Sequence, residues 1–164
     1  AMDSLPDSGT SPSQVLKNLN RVVEQNVDPS MFITMFYGNY HLQKHLFTFS
    51  SAGHEPGFYY SCRENKFYDL NAKGLVLGIS SNYDYEQYEQ KLDIGDMIVL
   101  FSDGVTECRT DSGFLERSDL QNLITVHMEK PAQQMVDNIY EHLLKLQDFQ
   151  LHDDFTLIVL KRKV

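Results

Sequence analysis

Only two of the 164 residues are cysteine, Cys62 and Cys108, and they lie in different segments with no Cys-x-x-Cys spacing. This excludes a zinc ribbon and a disulfide framework, and a reducing, cytoplasmic setting is expected. Long apolar runs are also missing. None approaches the roughly 18 residues that a membrane-spanning helix requires, and no charged-then-apolar leader is read at the start. Positive charge is scarce: 14 Lys and Arg stand against 23 Asp and Glu, a net charge of −9. Nucleic acids and membrane surfaces are anionic, so this balance argues against non-specific binding to either. Neither G-x-G-x-x-G nor G-x-x-x-x-G-K-[ST] occurs, which disfavours a doubly wound nucleotide fold. Internal repeats and low-complexity stretches are absent as well.

What is present is ordinary in bulk, with 41% hydrophobic and 23% charged residues, and the length suits one globular domain. "AMDSL" reads as the last turn of a helix, ended by Pro6. Ser11-Pro12 then reads as an N-cap with proline at the first helical position. Val15, Leu16, Leu19, Val22 and Val23 follow at spacings of three and four, which predicts an amphipathic helix from Ser11 to Asn26. "SMFITMFYGNY", "HLFTFSSAGHEPGFYYSC" and "KFYDL" are rich in β-branched and aromatic residues, predicting four strands with a turn over Gly53-His54-Glu55-Pro56. In "NAKGLVLGISSNYDYEQYEQKL" an apolar segment bounded by Gly74 and Gly78 precedes a strand of alternating aromatics, with Tyr83, Tyr85 and Tyr88 on one sheet face. "DMIVLF" predicts a central strand buried on both faces. "SDLQNLITVH" and "PAQQMVDNIYEHLLKLQ" predict helices, the second amphipathic through Met135, Ile139, Leu143 and Leu144. "DFTLIVLKRK" closes the chain as a strand. Strands come in adjacent runs and do not alternate with helices, which points to an α+β fold with antiparallel pairing.

Two acidic motifs flank the most apolar strands. "MIVLF" ends in Ser102-Asp103-Gly104, and the last strand is preceded by His152, Asp153 and Asp154. If these strands are antiparallel neighbours, the end of one and the start of the other share a sheet edge, and Asp103 and Asp153 converge there. Like charges that close are unfavourable unless a cation lies between them. Hard divalent ions such as Mg²⁺ or Mn²⁺ take such oxygen ligands. Asp-Gly after a strand is also an ordinary turn, so either motif alone is weak and the pair carries the reading. His152 is better read as satisfying a backbone group than as a ligand, and His54 as a turn-shaping or hydrogen-bonding residue than as a general acid.

"FSDGVTE" and "HDDFTLIVL", in that order with two helices between them, resemble the C-terminal signatures of the metal-dependent protein phosphatases of the type 2C class. "SAGHEP" and "KGLVLGI" resemble the branch found in bacterial stress and sporulation regulators. The resemblance covers essentially the whole chain. It implies two antiparallel β-sheets flanked by helices, an α-β-β-α sandwich. It also implies two Mn²⁺ or Mg²⁺ ions at one end, whose bridging hydroxide attacks phosphorus in line. Asp103 and Asp153 match family metal ligands. Asp154 matches a position next to a ligand, Glu107 matches an acid offered to a weaker third metal, and Gly104 belongs to the same motif. The family's other aspartates, in Gly-Asp-Tyr-like and Asp-x-x-Gly-Lys-Gly-like motifs, have no counterpart here. Residues 1–164 are therefore expected to form one partial phosphatase domain, N-terminally truncated, that lacks the first strands and holds metal weakly or not at all. Such a piece is expected to be inactive or nearly so, and exposed sheet edges invite dimerisation or strand exchange. The implied substrate is a phosphorylated anti-sigma-factor antagonist, and the implied activator is a regulator acting through an upstream domain. The alternative is a non-catalytic interaction module that keeps the fold.

Overall fold

A computed structural model of the chain describes residues 11–28, 30–31, 33–110, 113–148 and 153–164. The helical turn expected in "AMDSL", and His152, lie outside these residues. The chain divides into two compact units, Ala1–His54 with Ala72–Lys91, and Glu55–Asn71 with Leu92–Val164.

In the first unit, α1 (Pro12–Asn26) starts where the cap residues predict. The Ser11 hydroxyl accepts from the Gln14 amide at 3.4 Å, and Pro12 occupies the first turn. Three strands, β1 (Met35–His41), β2 (Leu46–Ala52) and β5 (Tyr88–Lys91), form an antiparallel sheet ordered β1-β2-β5. The apolar face of α1 packs Leu16, Leu19 and Val23 with Met35, Tyr37, Ala52, Leu77 and Tyr85. The opposite strand positions carry a ring stack of Phe36, Phe47, Phe49 and Tyr88 with centroids 5.3–6.3 Å apart. The Gly74–Gly78 segment is fastened to α1. Asn20, fully buried, accepts from the Gly78 amide at 2.9 Å and donates to the Ser80 carbonyl at 2.6 Å.

The alternating tyrosines do not form the expected strand. Only Tyr88 lies in β5, while Tyr83 and Tyr85 sit in irregular chain with their rings edge to face at 4.9 Å. Burial of Tyr85 beneath α1 draws this segment out of a two-residue period, a case of tertiary packing overriding local pattern.

The second unit holds β3 (Phe58–Ser61), β4 (Lys66–Asp69), β6 (Met97–Phe101) and β9 (Leu157–Lys161), all antiparallel, in the order β4-β3-β6-β9. The turn at Gly53–Pro56 therefore leads from one sheet into the other, since β2 and β3 pair in different sheets. β6 is interior in its sheet, and Met97, Ile98, Val99 and Phe101 are buried, as the run "MIVLF" predicts. α3 (Arg117–His127) and α4 (Ala132–Leu146) cover the face bearing Phe58, Met97, Val99 and Phe101, through Leu120, Ile124, Met135, Ile139 and Leu143. The sequence pattern missed two small elements. One is a single helical turn, α2 (Asp103–Thr106); the other is a short ribbon of β7 (Arg109–Thr110) with β8 (Gly113–Phe114). The α+β class with antiparallel sheets and flanking helices is as expected. Among the described residues no helix is long and apolar enough to cross a membrane.

Candidate metal centre

The pairing of β6 with β9 decides where the acids fall. Phe101 lies opposite Leu157, and the ladder continues one residue past both strands. The Ser102 amide donates to the Thr156 carbonyl at 3.1 Å, and the Thr156 amide donates back to the Ser102 hydroxyl at 3.0 Å. The same hydroxyl donates to the Asp154 carbonyl at 3.1 Å. The end of β6 and the approach to β9 therefore share one sheet edge, which brings the Asp103 and Asp153 segments together.

Asp103 opens α2, whose turn is closed by the Val105 amide donating to the Ser102 carbonyl at 3.0 Å and the Glu107 amide to the Asp103 carbonyl at 2.7 Å. Each aspartate is held locally through Oδ1: Asp103 accepts from the Gly104 amide at 3.1 Å, and Asp153 from the Asp154 amide at 2.7 Å. Both side chains are exposed. Gly104 is required by close approach. A Cβ there would stand 2.2 Å from the Asp154 carbonyl oxygen and 2.9 Å from its carbon, so the two acidic segments touch backbone to backbone only because residue 104 has no side chain.

Beside this contact lies a cavity of about 390 Å³ lined in part by Gly104, Glu107, Arg109 and Asp153. Of the residues singled out in the sequence, Gly104, Glu107 and Asp153 therefore share one cavity. Asp103 sits on the adjoining turn outside its lining, and Asp154 contributes its carbonyl to Ser102. The donor chemistry is carboxylate oxygen with backbone support, which fits a hard divalent cation. The number of donors is small: among the described residues no group of three or more His, Cys, Asp or Glu is placed to hold an ion. The residues fit part of a metal site.

Sequence reasoning missed three supports of this edge. Gln147, buried, clamps the backbone of Arg109: its Oε1 accepts from the Arg109 amide at 3.0 Å and its Nε2 donates to the Arg109 carbonyl at 2.6 Å. Glu55 accepts from the Thr106 hydroxyl at 3.0 Å, and Arg117 bonds Glu55 at 3.0 Å. Glu55 stands in "AGHEP", next to His54; no spacing rule links it to Thr106 and Arg117, some fifty and sixty residues on. His54 itself makes hydrogen bonds: its amide donates to the Ser51 hydroxyl at 3.2 Å, and its Nδ1 lies 3.4 Å from the Thr34 hydroxyl. Both cysteines are free. Cys62 is exposed, whereas burial pushes the Cys108 thiol up.

The antiparallel sheets with flanking helices have the fold of PP2C phosphatase domains. A structure of the PP2C phosphatase domain and a regulatory fragment of SpoIIE from Bacillus subtilis superposes with a TM-score of 0.73 at 22% identity, covering 93% of this chain and 44% of that one. The RsbU and RsbW domains of Rv1364c from Mycobacterium tuberculosis give a TM-score of 0.73 at 21% identity, covering 94% of this chain and 43% of that one. The chain belongs to the Stage II sporulation protein E (SpoIIE) family, whose profile matches residues 1–163. It is 76% identical over 164 residues to phosphoserine phosphatase RsbU of Bacillus subtilis (strain 168), covering 100% of this chain and 49% of RsbU. The chain thus spans about half the length of that curated relative, and the family resemblance read from its four motifs is confirmed.

Proposed function

We propose that this chain forms part of a metal-dependent phosphoserine/phosphothreonine protein phosphatase. One observation carries the reading: antiparallel β6 and β9 deliver Asp103 and Asp153 to one edge, locked there by the contact between Gly104 and the Asp154 carbonyl. The relation to a protein named phosphoserine phosphatase supports the choice of reaction. A divalent ion, Mn²⁺ or Mg²⁺, supplies an acidified water and neutralises phosphoryl charge when bound. Asp103 and Asp153 are the residues that would hold it, and Glu107 lines the cavity that Asp153 also lines. Ser102 keeps the two strand ends in register, so the carboxylates keep their spacing.

The substrate we propose is a phosphorylated anti-sigma-factor antagonist in a cytoplasmic bacterial stress pathway, with an activating regulator that acts through a domain outside these 164 residues. The neighbour containing RsbU and RsbW domains supports a regulatory setting of this kind. Residues 1–164 act as one partial phosphatase domain in this reading, and the remaining ligands come from elsewhere in a longer protein. Two carboxylates hold a divalent ion poorly, since affinity rises with the number of charged ligands, so the 164-residue chain alone is inactive or nearly so. The small donor set also favours a second reading, an interaction module that keeps the fold without the chemistry.

Phosphate release from a phosphoserine protein by the full-length protein, with and without Mn²⁺, separates the two. Metal-dependent turnover that falls on the order of 1000-fold in Asp103→Asn and in Asp153→Asn establishes the phosphatase. Turnover indifferent to both substitutions would reject this site.

A further inference from the structure

The one-turn helix that carries Asp103 is gripped from outside by a chain of polar contacts. The Thr106 hydroxyl lies between two acceptors, the Glu55 Oε2 at 3.0 Å and the Asp103 carbonyl at 3.2 Å. The other oxygen of Glu55 accepts from Arg117 Nη1 at 3.0 Å. Arg117, the first residue of α3, spends its second nitrogen on the Pro56 carbonyl at 2.9 Å and on Asp69 at 2.8 Å. Its guanidinium also lies over the Phe58 ring at 4.4 Å and the Phe101 ring at 5.3 Å. Phe101 is the last residue of β6, two before Asp103. Arg117 thus touches both ways into the acidic turn, the strand that leads to it and, through Glu55, the helix that bears it.

Arg117 and Glu55 are partly buried, with side chains 30% and 26% exposed, and Arg117 holds Asp69 as well. The pair holds Glu55 in one place, with both oxygens committed, one of them on the last residue of α2. The planar fork of arginine, stacked and bonded on two sides, suits this better than a lysine would.

We propose that Glu55 and Arg117 are positioning residues that set the placement of the Asp103 turn, and through it the affinity of the site for its divalent cation. This rests on the reading of Asp103 and Asp153 as metal ligands. Groups that orient a ligand without touching the metal are worth about 10–100-fold in affinity.

The test is a Mn²⁺ titration by calorimetry on the full-length protein and on its Thr106→Val, Glu55→Gln, Arg117→Lys and Asp103→Asn variants, with thermal melting of each after chelation. Thr106→Val is nearly isosteric and leaves the Arg117–Glu55 pair intact, so it isolates the link to the turn. The expected result is a loss of about tenfold in Mn²⁺ affinity for Thr106→Val and Glu55→Gln, with metal-free melting moved by less than about 2 °C. Arg117→Lys, which keeps the charge without the fork, should fall between these and the unsubstituted protein. Binding that disappears in Asp103→Asn yet stays within twofold in Thr106→Val and Glu55→Gln would overturn the inference and leave the metal site standing. Affinity and metal-free melting that drop together would also overturn it, reducing the pair to a structural tie. No saturable binding by the unsubstituted protein would remove the site itself, and the inference with it.

Discussion

Tyr85 shows how a single buried atom can be tested. Its ring fills the core beneath α1, yet its hydroxyl finds no hydrogen-bond partner among the described residues, and burial pushes the phenol up to about 12. A buried donor left unpaired costs roughly 1–3 kcal/mol. Tyr85→Phe is therefore expected to leave stability at pH 7 unchanged or to raise it by up to about 1 kcal/mol. The sign of the pH effect follows from the raised folded value. The contribution of the neutral phenol is whole below the unfolded pKa, near 10, and is lost as pH climbs through about 12. Urea melts between these limits should show the unsubstituted protein weakening faster than the variant; a variant less stable by more than about 1 kcal/mol at pH 7 would show that the hydroxyl has a partner after all. At this scale the acids were legible: Asp103 and Asp153 adjoin apolar strands, a pattern with a physical reason behind it. Glu55, Arg117 and Gln147 were not, because their roles come from partners far along the chain.

At the scale of elements, the contact between α2 and the segment leading into β9 leaves no room for a side chain at residue 104. Gly104→Ala places a Cβ 2.2 Å from a backbone carbonyl oxygen that no rotamer change can clear. The variant is expected to lose about 1–3 kcal/mol on urea unfolding, and its Mn²⁺ affinity should fall although every carboxylate is intact. Full affinity in that variant would show that the two acids need not be held together by this contact. The strands and long helices were readable because burial enforces a period: β6 is apolar throughout, and Met135, Ile139 and Leu143 of α4 are all buried as their spacing requires. α2 and the β7–β8 ribbon were not readable, being too short for any period to register. The strand expected across Tyr83 and Tyr85 did not form, because burial beneath α1 prevailed over alternation.

For the whole molecule, the central expectation concerns how many ligands the chain brings. Titrated with Mn²⁺ side by side, the 164-residue chain should bind at millimolar affinity or weaker, and the full-length protein at least about 100-fold more tightly, given the dependence on charged-ligand count. Equal affinities would mean that Asp103 and Asp153 suffice. The sequence by itself determined the class of fold, the two acidic motifs and the family, because apolar periodicity and short motifs are local properties that a chain carries unfolded. Only the tertiary structure decided that β6 and β9 are neighbours, that Gly104 lies against the Asp154 carbonyl, and that Glu55 reaches Thr106 with Arg117 behind it. Those are contacts between residues some fifty to sixty positions apart, and strand pairing and packing, not local preference, bring them together.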